Sequence, residues 1–153
     1  MRILVVSDSH GAFMEFREVI EKHRDIDVIF FLGDGKREYE DICDLYPDKK
    51  ILAVKGNCDY ISSLPSFDYI SLCEGKILYT HGDAFYVKMG TERLEETARN
   101  EGARLVLYGH THRKDARYVD GLYIFNPGSL GYDKSYGICD LQESGIVMTH
   151  LSL

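Results

Sequence analysis

The 153-residue chain contains no apolar run approaching the roughly 18 residues that a membrane-crossing helix needs. Its start, MRILVVSDSHG, turns polar after a few apolar residues, too soon for a secretory signal. A soluble, cytoplasmic protein is expected. Proline is scarce: Pro47, Pro65 and Pro127 stand alone, and no stretch is repetitive or biased in composition. With no linker visible, residues 1–153 read as one domain, and a chain of about 150 residues buries enough surface for one sizeable core. The four cysteines, Cys43, Cys58, Cys73 and Cys139, form no CxxC pair, so neither a thiolate zinc site nor a disulfide framework is indicated. Cys73 and Cys139 lie in strand-like runs and read as small buried hydrophobes. Positive charge is also short. The chain has 18 Lys and Arg against 25 Asp and Glu, a net charge of −7. A general nucleic-acid binder needs a basic field to displace counterions, so that class is disfavoured. A small phosphorylated ligand is not excluded, because a bound metal supplies local positive charge.

What the sequence does have is order. Through residue 110, short apolar runs alternate with helix-like stretches. The runs cover residues 3–6, 28–32, 51–54, 77–79 and 105–108. They are rich in Val, Ile, Leu and aromatics without clean alternation, as in strands covered on both faces. Residues 13–23, 38–46 and 91–101 read as helices; Phe13, Phe16, Val19 and Ile20 fit one face of the first. Thr91 and Glu95 approach a capping-box pattern at the start of the third. The last third reads as hairpins, the clearest turning at Asp120-Gly121. Others turn at residues 142–144 and at Glu74-Gly75. Together the hairpins predict a second, mostly antiparallel sheet packed on the first, giving an α/β sandwich with helices outside.

The ends of the apolar runs carry the chemistry. They lead into Ser7-Asp8-Ser9-His10, Gly33-Asp34, Gly56-Asn57-Cys58-Asp59, His81-Gly82-Asp83 and Gly109-His110-Thr111-His112. In α/β sheets, ligands bind where loops converge at the carboxyl ends of strands. The types delivered there, imidazole, carboxylate and amide, are all metal donors. Glycine fits tight turns beside a ligand. Seven donors, Asp8, His10, Asp34, Asn57, His81, His110 and His112, exceed one tetrahedral site. They fit two metals sharing a bridging carboxylate, the arrangement that clamps both oxygens of an in-line displacement at phosphorus. His23, at a charged helix end, and His150, in the last strand, stand apart and read as structural or solvated. Lys36, Arg37 and Arg113 follow the motifs and fit either phosphate steering or ordinary surface charge.

This ordered set resembles the calcineurin-like metallophosphoesterase family, and Asn126-Pro127-Gly128-Ser129 looks like its small bacterial and archaeal phosphodiesterase branch. The resemblance implies two stacked mixed sheets flanked by helices in four layers. It implies one metal on Asp8, His10, Asp34 and His112, and a second on Asp34, Asn57, His81 and His110. Manganese is the first expectation, with nickel, zinc, iron or cobalt as alternatives. The implied activity is phosphodiester or phosphomonoester hydrolysis of a small ester by in-line attack of a metal-bound hydroxide, with Asp34, Asn57, Cys58 and Asp59 as the catalytic group. Most relatives carry His where this chain has Cys58, a Cys also seen in the small branch, and that His is assigned either the leaving-group proton or a hold on the substrate phosphate. Asp83 stands where the branch commonly has a second His, and is expected to orient an imidazole. Asn126-Pro127-Gly128-Ser129 reads first as a structural turn. The rival implied by resemblance is a protein-binding scaffold like a retromer subunit of this fold. A metal-dependent nuclease ranks last, for want of a basic track. Self-association stays open.

Overall fold

The computed structural model describes residues 1–72 and 75–153. Among them ten strands form two five-stranded sheets. In chain order the elements are β1 (Arg2–Val6), α1 (Phe13–Lys22), β2 (Val28–Phe31), α2 (Lys36–Leu45), β3 (Lys50–Ala53), β4 (Phe67–Leu72), β5 (Gly75–Thr80), α3 (Glu92–Asn100), β6 (Ala103–Leu107), β7 (Asp115–Val119), β8 (Leu122–Asn126), α4 (Leu130–Asp133), β9 (Ser135–Gln142) and β10 (Gly145–Ser152). The first sheet runs β10-β9-β1-β2-β3 and the second β4-β5-β6-β8-β7.

Side-chain alternation along each strand sorts the core into layers. Ile3, Val5, Phe30 and Leu32 of the first sheet meet Ile77, Tyr79, Leu105, Leu107 and Phe125 of the second. The intervening residues Leu4, Val6, Ile29 and Phe31 face Phe16, Val19 and Ile20 of α1 and Ile42 of α2. On the far side, Leu78, Val106 and Ile124 pack on Leu94 and Ala98 of α3. Strands covered on both faces need apolar residues at every position, and this removed the alternation from their sequence. Cys139 is fully buried as expected. Cys73 and the first residue of the Glu74-Gly75 turn lie outside the described residues.

The sheet assignment differs from the expectation in one respect. The β9–β10 hairpin joins the first sheet, not the second, through antiparallel pairing of β9 with β1, Ile3 opposite Cys139 and Val5 opposite Gly137. The second sheet is correspondingly mixed: β5–β6 and β6–β8 are parallel, and β4–β5 and β7–β8 antiparallel. The physical reason is burial. β9 is buried at six of its eight positions, so it occupies an interior place between β1 and β10. The capping box at α3 is also absent: the Thr91 hydroxyl donates to Glu95 Oε1 at 2.8 Å, and no side chain caps the helix.

This arrangement sets the carboxyl ends of β1, β2 and β3 beside those of β5 and β6, at the seam between the two sheets. The five donor-bearing loops meet there.

Candidate metal centre

Three of the donors, Asp8, Asp34 and His81, are aimed by neighbours that occupy their other polar atom. Asp8 Oδ2 accepts from Ser7 Oγ at 2.5 Å and from the His110 N–H at 3.1 Å, leaving Oδ1 inward. Asp34 Oδ1 accepts from the Cys58 N–H at 2.8 Å, leaving Oδ2 inward. His81 Nδ1 donates to the Leu32 carbonyl at 2.7 Å, which fixes the tautomer and presents Nε2.

The inward atoms fall into two groups. In the first, Asp8 Oδ1 lies 3.1 Å from His112 Nε2 and 3.8 Å from His10 Nε2, and the two imidazole nitrogens are 3.4 Å apart. In the second, His81 Nε2 lies 3.1 Å from both Asn57 Oδ1 and His110 Nδ1. Asp34 Oδ2 faces both, 3.8 Å from His10 Nε2 and 3.4 Å from His81 Nε2. All seven expected donors are therefore brought together, with Asp34 between the two groups.

The backbone beneath them is strained. Asp8, His10, Asp34, His110 and His112 have φ of 54°, 41°, 59°, 68° and 57°, and they are five of the nine non-glycine residues with positive φ among the described residues. Left-handed backbone at such residues costs on the order of 1–3 kcal/mol each and persists only where the surroundings enforce it. Glycine is required where the loops touch: a Cβ on Gly56 would sit 2.0 Å from Asp34 Oδ1, and one on Gly33 only 2.5 Å from the Gly56 nitrogen.

The electrostatics follow from crowding these groups. Burial alone would raise the Asp34 carboxyl, but the His81 imidazole beside it holds it well below the usual carboxylate range. Burial pulls His81 down, yet hydrogen bonding to Asp34 and the charge of Asp8 raise it above an ordinary histidine. His110 is lowered, by burial first and then by the charges of His81 and Lys88. The carboxylates of Asp8 and Asp34 thus favour positive charge beside His81, and a divalent cation would supply it. A set of converging carboxylate, amide and imidazole atoms, with Asp8, Asp34 and His81 held by their outward atoms, suits two divalent ions.

Several residues take different places from those expected. Asp59 is not free for chemistry: its oxygens accept four backbone N–H groups, from Asp34, Gly35, Lys36 and Gly56 at 2.7–2.9 Å. It ties the β2 and β3 loops together as a positioning group. Asp83 makes no hydrogen bond to an imidazole among the described residues; its Oδ1 is buried without a partner, and it bears on His110 through its charge alone. Cys58 is at the exposed rim, with its Sγ within 4.8 Å of ligand atoms of His10 and Asp34. Burial, and then the Asp34 charge, push its thiol up. The Asn126 turn is structural and more specific than a turn. Asn126 Nδ2 donates to the Gly109 carbonyl and Thr111 Oγ1 at 3.0 and 3.1 Å, and Ser129 Oγ donates to the Asp8 carbonyl at 2.9 Å. His150 Nε2 donates to the Asn126 carbonyl at 2.8 Å, and His23 shares a 3.0 Å hydrogen bond with the Tyr136 hydroxyl. Lys36 is engaged with the Ile61 carbonyl at 3.0 Å.

Sequence reasoning missed two contributors. Ser7 steadies Asp8, as above. Tyr132, 71% exposed, sets its ring 4.8 Å from that of His112 and 5.4 Å from that of His10. The available signal was Ser129, the N-cap of α4, whose Oγ accepts the Tyr132 N–H at 3.1 Å.

A two-sheet sandwich carrying this donor set at its seam defines the class, an α/β sandwich with a candidate metal centre between its sheets. The sequence model of the calcineurin-like phosphoesterase superfamily domain matches residues 1–144, and the chain belongs to that family. It is 29% identical over 150 residues to the probable metallophosphoesterase YsnB of Bacillus subtilis, covering 94% of this chain and 86% of that protein. It is 32% identical over 137 residues to vacuolar protein sorting-associated protein 29 of Schizosaccharomyces pombe, covering 84% and 72%. The crystal structure of a predicted phosphoesterase from Streptococcus pneumoniae superimposes with a TM-score of 0.85 at 28% identity, over 99% of this chain and 88% of that one. No helix among the described residues is long and apolar enough to cross a membrane.

Proposed function

We propose that the protein is a phosphodiesterase, hydrolysing a small phosphate ester at a two-metal site. The observation that carries this reading is the left-handed backbone at five of the seven donors, strain concentrated where the inward oxygen and nitrogen atoms converge. Asp8, His10, Asp34 and His112 would hold one ion, and Asp34, Asn57, His81 and His110 the other. Manganese is our first choice, and the mixed nitrogen and oxygen donors also admit nickel, zinc, iron or cobalt. When bound, such a pair activates water for attack and neutralises charge on the phosphoryl oxygens.

The chain supplies positioning and the leaving-group proton. Asp59 and the Cys58 N–H hold Asp34 in place, and Gly56 leaves room for its carboxylate. The Tyr132 ring walls the His10 and His112 side. Cys58, kept protonated, offers its thiol proton to the departing oxygen from the rim. A thiol is a weaker acid than an imidazolium at neutral pH, so leaving groups that depart as stable anions are favoured. The preference for a diester rests on shape. A groove of about 610 Å³ runs from His10, Asp34 and Cys58 towards Tyr60, room for an arm beyond the scissile phosphorus, and a second of about 640 Å³ is lined by Thr111 among others.

The test is hydrolysis of bis-p-nitrophenyl phosphate and p-nitrophenyl phosphate by metal-stripped protein with manganese, nickel, zinc or nothing restored. Metal-dependent turnover that favours the diester and is lost in Asp34→Asn supports the reading. The likeness to the fission-yeast sorting protein favours a second reading, a protein-binding scaffold. Tight metal binding with no turnover on either ester would put that reading first.

A further inference from the structure

The two grooves beside the metal centre differ in charge. The one on the Cys58 side carries Lys36 and Arg37, but Glu38, Glu40 and Asp59 share its wall, and Lys36 Nζ is 3.6 Å from Glu40 Oε1. The one that begins at Thr111 carries Lys88, Arg113 and Lys114 against a single carboxylate, Asp115. That carboxylate is already matched: its oxygens accept Arg117 Nε at 2.9 and 3.0 Å and the Tyr108 hydroxyl at 2.8 Å. Among the described residues Lys88, Arg113 and Lys114 make no ion pair, and the nearest partner of Lys114 Nζ is the neutral Ser152 Oγ at 3.3 Å. Three uncompensated cations on one concave wall are notable in a chain of net charge −7. The groove's lining includes Thr111, which lies between His110 and His112 in the chain. Met89, 89% exposed, adds an apolar shelf to the same wall.

Metal charge at the centre satisfies one phosphoryl group. It does not account for a second cationic wall beside it, and unpaired cations lining a groove attract an anion with a strength that depends on salt. We propose that the Lys88–Arg113–Lys114 groove is a subsite for a second phosphate of the substrate. The substrate class is then a small phosphodiester carrying a further phosphate, the scissile group at the metals and the second in this groove. This rests on the two-metal phosphodiesterase reading and adds the substrate's second charge to it.

The test compares matched probes on the full, metal-loaded chain. Thymidine 3′,5′-bisphosphate is set against thymidine 5′-monophosphate in equilibrium binding, so that contact with the metals is common to both. The 4-nitrophenyl esters of thymidine 5′-phosphate, with and without a 3′-phosphate, are compared in turnover. The bisphosphate is expected to bind about tenfold more tightly at low salt. The 3′-phosphate is expected to lower KM by a similar factor with kcat little changed, the pattern of binding shared by ground and transition states. Both ratios should fall towards one in Lys88→Ala/Arg113→Ala and in high salt. Ratios near one in the wild type, or unchanged in the double variant, overturn the subsite even where bis-p-nitrophenyl phosphate is hydrolysed. If no metal supports hydrolysis while the binding ratio and its dependence on Lys88 and Arg113 persist, the subsite stands and the reaction reading fails. A single-stranded dodecathymidylate that displaces the bisphosphate at lower phosphate concentration would overturn the small-substrate assignment in favour of a polynucleotide.

Discussion

At the scale of single residues, the centre is held by atoms that never face a ligand. Asp59 satisfies four backbone N–H groups, and a buried donor left without a partner costs about 1–3 kcal/mol. Asp59→Ala is therefore expected to lower unfolding free energy by at least about 3 kcal/mol in a denaturant titration and to weaken metal binding in the same protein. A loss under about 1 kcal/mol would show that water replaces the carboxylate. Cys58 sits at the rim with its thiol raised above the ordinary value. Cys58→His should raise turnover of esters with poor leaving groups, such as alkyl arms, by tenfold or more, and change nitrophenyl esters little. Equal effects on both would remove Cys58 from the proton transfer. Residue types were legible in the sequence, and roles only partly. The seven donors announced themselves because the same chemistry recurs at five strand ends. Nothing in the sequence distinguishes a catalytic Asp from one that binds backbone, so Asp59 was placed in the catalytic group although its oxygens are spent on four N–H groups. Tyr132 reaches His10 across more than a hundred residues and His112 across twenty, and no spacing rule reports such contacts.

At the scale of elements, the strands were readable and their partners were not. Apolar runs mark β1, β2, β3, β5 and β6 closely, since burial on both faces dictates composition. Which sheet a hairpin joins is decided by tertiary burial: β9 could have closed either sheet on its pattern alone, and its near-complete burial put it beside β1. That docking brings Tyr136 of β9 against His23 at the end of α1, 3.0 Å from hydroxyl to imidazole. Burial lowers the His23 pKa there, and the charges of Arg2 and Lys22 add to it against Asp25. The unfolded chain takes up that proton near pH 6.5 and the folded chain only at lower pH. The sign is therefore set: stability from this contact is full above pH 6.5 and is lost as pH falls from there through the folded value. The wild type should lose more thermal stability between pH 7.5 and 5.5 than His23→Gln does. Parallel losses in the two proteins would contradict the contact's role.

At the scale of the whole molecule, two sheets of mixed direction bring five loops to one seam, where the left-handed backbone is concentrated, and ions held there would stabilise the folded chain. Ligand that binds only the folded chain stabilises it by about 2.7 kcal/mol at a hundredfold excess over Kd. For a chain of this size that corresponds to a rise in Tm of roughly 5–10 °C per site. Manganese should produce such a rise in stripped wild type and a much smaller one in Asp34→Asn, read by differential scanning fluorimetry. The net charge of −7 offers no attraction to an anionic ester by itself, so substrate binding too should depend on the ions and on the cationic groove. The most direct test of the account titrates manganese into stripped protein while following both bound metal and hydrolysis of bis-p-nitrophenyl phosphate. The account predicts two tight equivalents per chain, with turnover rising steeply only as the second fills. Saturation of activity at one equivalent, or two bound equivalents with no turnover, would contradict it.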